Sequence, residues 1–295
     1  MRSRADLASR LSAAIGARVA RVAAVGGGSF GRPYRVTTAA GDEFFAKVAP
    51  PDGDGMLAHE AAGLRWLAEA EASGGTRVAR VVVSEPDLLV LDWVPGGTVS
   101  RASARRFGAA LAATHALGAP AFGALPGVAT GFIASEPLPD TPPVDRWSTF
   151  WAEQRLRPFL DRAVAAGAIG DEDADAVRAV ADDLDRYAGP DEPPARVHGD
   201  LWSGNVLWTE PDAVLIDPSA HGGHRESDLA MLALFGLPHL DDVLEAYQRA
   251  APLAEGWERR VPLHQLYPLL VHAVLFGGHY GRAAGATART VLAAA

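Results

Sequence analysis

A chain of 295 residues that is 48% hydrophobic and 21% charged has enough apolar material to bury a core, which excludes a disordered chain. A net charge of -9 argues against a nucleic-acid partner, and the absence of cysteine removes disulfides, thiol nucleophiles and thiolate switches, as suits a reducing, cytoplasmic setting. Arginine, histidine or an acid interrupts every apolar run before the roughly 18 residues of a membrane span, so no membrane partner is expected.

The first 21 residues are rich in Arg, Ser and Ala with one acid, as in a transit peptide. Leu7, Leu11, Ala14 and Ile15 nevertheless recur at helical spacing, which predicts an amphipathic capping helix. Val19 to Val25 then reads as a strand entering Gly26-Gly27-Gly28-Ser29-Phe30-Gly31. A dinucleotide fingerprint would need a helix immediately after these glycines. Here Arg32 to Thr38, the turn Ala39-Ala40-Gly41-Asp42 and Glu43 to Val48 predict a hairpin instead, which is the glycine-rich lid of a kinase over nucleotide phosphates. Lys47 falls on its third strand.

Met56 to Ala70 reads as a helix whose inner stripe of Leu57, Ala61, Leu64 and Leu67 includes Glu60. A glutamate on an apolar face needs a cation, and Lys47 is the candidate. Val78 to Val83 and Leu88 to Trp93 complete five strands, and Asp92, Trp93 and Val94 leave the sheet where an interlobe hinge would offer backbone to an adenine edge. The expected class is therefore α+β: a bilobal, protein-kinase-like fold with a nucleotide-binding lobe at 1–94 and a mainly helical lobe at 95–295. In the second part, helices are expected at Ala102 to Leu117, with His115 a core or helix-end histidine, and at Trp147 to Ala166 and Asp171 to Tyr187. The intervening loop, Gly118 to Asp145, is far longer than usual, and Phe122, Phe132 and Ile133 favour its being ordered.

The chemistry concentrates in HGDLWSGNVLWTEPDAVLIDPS, His198 to Ser219. His198, Asp200 and Asn205 have the H-x-D-x-x-x-x-N spacing of a kinase catalytic loop, in which the aspartate accepts the hydroxyl proton and the asparagine holds a metal. Asp217 ends the apolar run Ala213 to Ile216, so a strand delivers a second carboxylate, suited to Mg2+. Lys47 is the one lysine among 27 basic residues and Asn205 the one asparagine of the chain, each where a kinase needs it. A helix begins about ten residues after Asp217, with no A-P-E segment between, which favours a small-molecule kinase over a protein kinase. His221 and His224 form H-x-x-H, but no further ligand is placed to close a zinc site. Leu240 to Ala250, Gly256 to Phe276 and Gly281 to Ala295 read as helices.

The motifs GGGSFGRPYRV, WSTFWAEQRLRPFL, HGDLWSGN, IDPSAHGGHRESDLAMLALFG and LYPLLVHAVLFGG, with Lys47 and Glu60, run along nearly the whole chain. In them it resembles the fructosamine/ketosamine 3-kinase family, relatives of the aminoglycoside phosphotransferases. The resemblance implies ATP-dependent phosphorylation of the 3-hydroxyl of a ketosamine, after which the phosphate eliminates and frees the amine, whether a small molecule or a glycated protein. It implies Asp200 as base, Asn205 and Asp217 as magnesium ligands, Lys47 on phosphate held by Glu60, and Asp228 bracing the catalytic loop with His198. Trp202 would wall the sugar pocket. Around Val271, His272 and Ala273 the chain departs from the family's polar pattern, which leaves acceptor contacts such as His272 open. Another amine-alcohol kinase or a nucleotide-binding pseudokinase are the rival readings, and a monomer and a homodimer are both compatible.

Overall fold

In the computed structural model, which describes residues 4–26, 31–50, 53, 55–139, 142–209 and 211–294, the N-terminal strands are β1 (Val19–Ala24), β2 (Arg32–Thr38), β3 (Glu43–Val48), β4 (Arg77–Val78), β5 (Val81–Glu85) and β6 (Leu88–Asp92). All but β4 form one antiparallel sheet in the order β1-β2-β3-β6-β5. The β2–β3 turn closes on itself: Gly41 has φ 96°, and Thr38 Oγ1 accepts from the Asp42 N–H at 3.0 Å.

Strand β6 buries Leu88, Leu89, Val90 and Leu91 in succession because both faces of the sheet are covered. Helix α1 (Arg4–Ile15) sets Leu11 into a cluster with Val36, Ala46, Leu88 and Val90, as its amphipathic pattern predicts. Helix α2 (Met56–Ala68) covers the other face, placing Leu57, Leu64 and Leu67 with Leu89 and Leu91. The expected strand Val78 to Val83 divides in two. Ala79 N–H donates to Leu215 O at 3.0 Å, whereas Arg80 O accepts from Asp92 N–H at 3.0 Å, so the chain crosses from one sheet to another at that step.

Helix α3 (Arg101–Ala116) opens with a capping box between Ser100 and Ser103. The long loop that follows is ordered by the small hairpin β7 (Phe132–Ile133) and β8 (Glu136–Pro137) and by a bridge between Phe122 and Val144. The helix expected from Trp147 to Ala166 is interrupted: α4 (Trp147–Trp151) and α5 (Arg157–Ala165) flank a π-turn over Ala152–Leu156. Gln154, Arg155 and Leu156 are all buried in this wider turn.

Helix α6 (Asp171–Asp182) leads to β9 (Ala195–Val197), β10 (Val206–Trp208), β11 (Ala213–Leu215) and β12 (His221–Gly223). Helices α7 (Arg225–Phe235), α8 (Leu240–Ala250), α9 (Trp257–Phe276) and α10 (Tyr280–Ala293) complete the chain. One core gathers α4, α5, α6, α9 and α10; another is shared by α2, β6, α3, β11, α7 and α8, and so draws on residues from both sides of Val94. Two short pairings position the site. Strands β10 and β11 form a hairpin to which β4 adds in parallel, and β12 returns antiparallel to β9 with His221 opposite Val197. The segments entering the loop at His198 and leaving Asp217 are thereby held side by side.

Candidate active site

A cavity of about 880 Å³ lies between the sheet and the helices. Lys47, Glu60, Asp200, Asn205 and Asp217 line it, as do Gly26, Asp92, Trp93, Val94, Trp202 and His272. Residues far apart in sequence are thus brought to one place. Gly27, Gly28, Ser29 and Phe30 lie outside the described residues.

Lys47 Nζ donates to Glu60 Oε2 at 2.8 Å and to Asp217 Oδ1 at 2.5 Å, with both the lysine and Glu60 buried. Burial alone would lower the ammonium's pKa, but the two carboxylates outweigh it and hold the pKa above its usual value. Glu60 is shifted upward, chiefly by burial. Asp217 is held below the usual carboxylate range: burial acts against this, and Lys47 outweighs it. Asp217 also has φ 51°, a left-handed backbone rare for a side-chain-bearing residue, at the sharp exit from β11.

The loop between β9 and β10 is built around two supports. His198 Nε2 bonds Ile216 O at 2.9 Å while its Nδ1 accepts from Asp200 N–H at 3.3 Å, which fixes the neutral Nε2–H tautomer. Burial pushes the His198 pKa down, in agreement. Asp228, buried at the start of α7, accepts from His198 N–H at 2.7 Å and Gly199 N–H at 3.0 Å. His115 Nε2 bonds the same carboxylate at 3.1 Å, and His115 Nδ1 bonds the Tyr247 hydroxyl at 2.8 Å. Gly199 has φ 78°, and a Cβ there would run into Ser219 O.

Asp200 faces the cavity with its pKa pushed up to about 7, first by burial and then by the nearby charge of Asp217. Asn205 Nδ2 donates to Asp200 O at 2.8 Å and to Asp200 Oδ2 at 3.2 Å. The amide nitrogen is therefore committed, and Oδ1 is the atom left for a cation. With Asp217 it makes an all-oxygen donor pair, the chemistry that magnesium takes. At the sheet's exit, the N–H groups of Asp92 and Trp93 are engaged by Arg80 O and Glu43 O, and the Asp92 carboxylate is turned to Arg80 at 2.7 and 2.9 Å. The Asp92 side chain is thus committed to Arg80.

Trp202 is 41% exposed on the cavity wall and is no core anchor. Several lining residues escape sequence reasoning. Phe132, Ile133 and Ala134 come from the long loop, tied down by Ser219 Oγ donating to Phe132 O at 2.6 Å. Phe235, Phe276 and Tyr280 come from α7, α9 and α10. The H-x-x-H pair does not act together: His221 Nδ1 bonds Ser219 O at 2.7 Å, whereas His224 Nδ1 accepts from Glu226 N–H and caps α7. His224, Glu226 and His264 offer atoms within 4.8 Å of one another, but Arg260 bonds both Glu226 oxygens, at 2.9 and 2.6 Å, so a guanidinium already supplies the cation there.

The sequence profile of the family described as fructosamine kinase matches residues 4–294. The chain belongs to the fructosamine kinase family. A probable ketoamine kinase of Lactiplantibacillus plantarum is 34% identical over 276 residues, covering 90% of this chain and 92% of that one. A crystal structure from Thermobifida fusca, named as a fructosamine-3-kinase candidate, superposes with a TM-score of 0.91 at 46% identity, covering 99% of this chain and 100% of the other. An ADP-bound aminoglycoside phosphotransferase reaches a TM-score of 0.68 at 15% identity over 98% and 99% of the two chains. That likeness is one of fold: a protein-kinase-like architecture.

Proposed function

We propose that this fructosamine kinase relative transfers the γ-phosphoryl group of ATP to the 3-hydroxyl of a ketosamine of the ribulosamine or fructosamine type. The observation that carries the reading is the convergence of Asp200, Asn205, Asp217 and Lys47 on one cavity that also holds Trp202 and His272. Residues 1–94 serve as the nucleotide lobe, with Lys47 on the phosphates and the backbone at Asp92 to Val94 on adenine. Residues 95–295 supply the catalytic loop and the acceptor wall.

In this mechanism Asp200 takes the proton from the 3-hydroxyl as its oxygen bonds to phosphorus and the bond from phosphorus to ADP breaks. Phosphoryl transfer passes through a loose transition state, so alignment and charge neutralisation dominate over covalent chemistry. Lys47 meets the phosphate oxygens and Glu60 holds it in place. Asn205 and Asp217 would hold magnesium, which when bound neutralises charge on the transferring group. Trp202 offers a ring to the C–H face of the sugar. The 3-phosphate then eliminates and frees the amine, which makes the reaction a repair of glycated amines.

The test is magnesium-dependent ATP consumption with ribuloselysine, fructoselysine, an aminoglycoside and choline side by side, and the phosphorylated carbon located by ³¹P–¹H NMR. Turnover confined to the ketosamines, with phosphate on C3, is expected. Turnover confined to the aminoglycoside or choline would replace the reading with its rival.

A further inference from the structure

The acceptor side of the cavity carries a surface that the phosphoryl chemistry does not use. Trp202 is 41% and Phe276 53% exposed, two of four large hydrophobic side chains open to solvent among the described residues, and both line this cavity. Between them runs an unbroken chain of ring contacts. Centroid separations are 6.5 Å for Trp202–Phe235, 4.6 Å for Phe235–His272, 5.4 Å for His272–Phe276 and 5.0 Å for His272–Tyr280. Single exposed aromatics need no explanation, but a contiguous set on a cavity rim marks a binding surface.

The charges around the cavity decide what that surface takes. Its lining acids and its lysine, Lys47, Glu60, Asp92, Asp200 and Asp217, come from the sheet, α2 and the segments around the catalytic loop. The aromatic wall contributes no carboxylate, lysine or arginine to the lining. Its histidine is turned to backbone, His272 Nδ1 bonding Pro268 O at 2.8 Å. A cationic nitrogen can rest against such π faces. A carboxylate placed there would lose water and gain no cation in return.

We propose that, while Trp202 faces the sugar, the part of this wall beyond it, formed by Phe235, His272, Phe276 and Tyr280, receives the amine half of the ketosamine. It selects nitrogens bearing an uncharged hydrocarbon or aromatic body over those of free α-amino acids, whose carboxylate lies one carbon from the nitrogen. The proposal rests on the ketosamine kinase reading above and narrows its substrate class.

The experiment compares kcat/KM for three ketosamines of one ketose, made on phenethylamine, ethanolamine and glycine, in both a ribulose and a fructose series. The phenethylamine adduct should exceed the ethanolamine adduct about tenfold, the range of an added aromatic contact, and the glycine adduct should fall at least about tenfold below ethanolamine. Phe276→Ala, at a position open enough to tolerate truncation, should bring the phenethylamine-to-ethanolamine ratio close to one. Val164→Ala, at another exposed apolar site outside the cavity, should leave that ratio unchanged. Equal kcat/KM for all three adducts, preference for glycine, or an unaltered ratio in Phe276→Ala would overturn the assignment while leaving the kinase reading intact. Turnover of none of the adducts, with turnover of choline or an aminoglycoside, would remove the reading and the proposal together.

Discussion

Replacing Asp228 by asparagine tests the claim that the catalytic loop is held from behind by one buried carboxylate. Both Asp228 oxygens act as acceptors, Oδ1 for Gly199 N–H at 3.0 Å and Oδ2 for His198 N–H at 2.7 Å and for His115 at 3.1 Å. Asparagine keeps the shape but turns one oxygen into a donor, so either amide orientation sets an N–H against a backbone N–H. A hydrogen bond to a charged acceptor contributes about 1.5–3 kcal/mol, and a buried donor left unpaired costs about 1–3 kcal/mol. Asp228→Asn should therefore lose roughly 3–5 kcal/mol by urea unfolding. The folded fraction should also lose about 10²-fold in kcat, the scale expected when a reacting group shifts by about 1 Å. KM for ATP should change little, because Lys47 and Glu60 are not touched. A variant that loses the stability yet keeps kcat within about twofold of wild type would refute the bracing role and leave Asp228 a folding residue only.

Lys47→Met should depress ATP turnover sharply, and Lys47→Arg should not restore it, because a planar fork cannot replace a compact ammonium between Glu60 and Asp217; wild-type kinetics in either variant would discredit the assignment. At Gly204 an added Cβ would meet the outer edge of the Trp202 ring. Gly204→Ala should therefore raise the acceptor KM severalfold with a change in melting temperature of only about 2 °C, and an unmoved KM would detach Trp202 from the sugar. Burial pushes the Glu226 pKa upward, but the His264 ring 3.3 Å away and the two Arg260 bonds outweigh it and hold the carboxyl at about 2. Its folded pKa is depressed, so its contribution is complete above the unfolded value of about 4.3 and is lost as pH falls towards 2. Wild-type stability should drop by about 3 kcal/mol more than that of Glu226→Gln across this window. Parallel acid-unfolding curves for the two proteins would contradict the ion pair's role.

What could be read in the sequence was local. The hairpin after Gly26 followed from the missing helix, Glu60 from its place on an apolar stripe, and the loop of His198, Asp200 and Asn205 from spacing alone. Asp217 was legible because an apolar strand stops there, and its contact with Lys47 confirms that the strand ends in the same cavity. Features that depend on tertiary register were not legible. The split between β4 and β5 is decided by Leu215 and Asp92, residues distant in sequence, and the π-turn packs Ala152 and Leu156 into a core shared with α9. Phe235, Phe276 and Tyr280 sit in helices where an aromatic reads equally well as core. Phe276 does follow His272 by four residues within α9, a spacing that would have pointed to one face.

The central claim, that Asp200 is the base of a ketosamine kinase, is tested most directly by single-turnover phosphorylation of ribuloselysine in wild type and Asp200→Asn, with ATP affinity measured in the same samples. The account predicts a loss of about 10² to 10⁴ in the phosphoryl-transfer rate with ATP affinity unchanged. Transfer at the wild-type rate in the variant would contradict it.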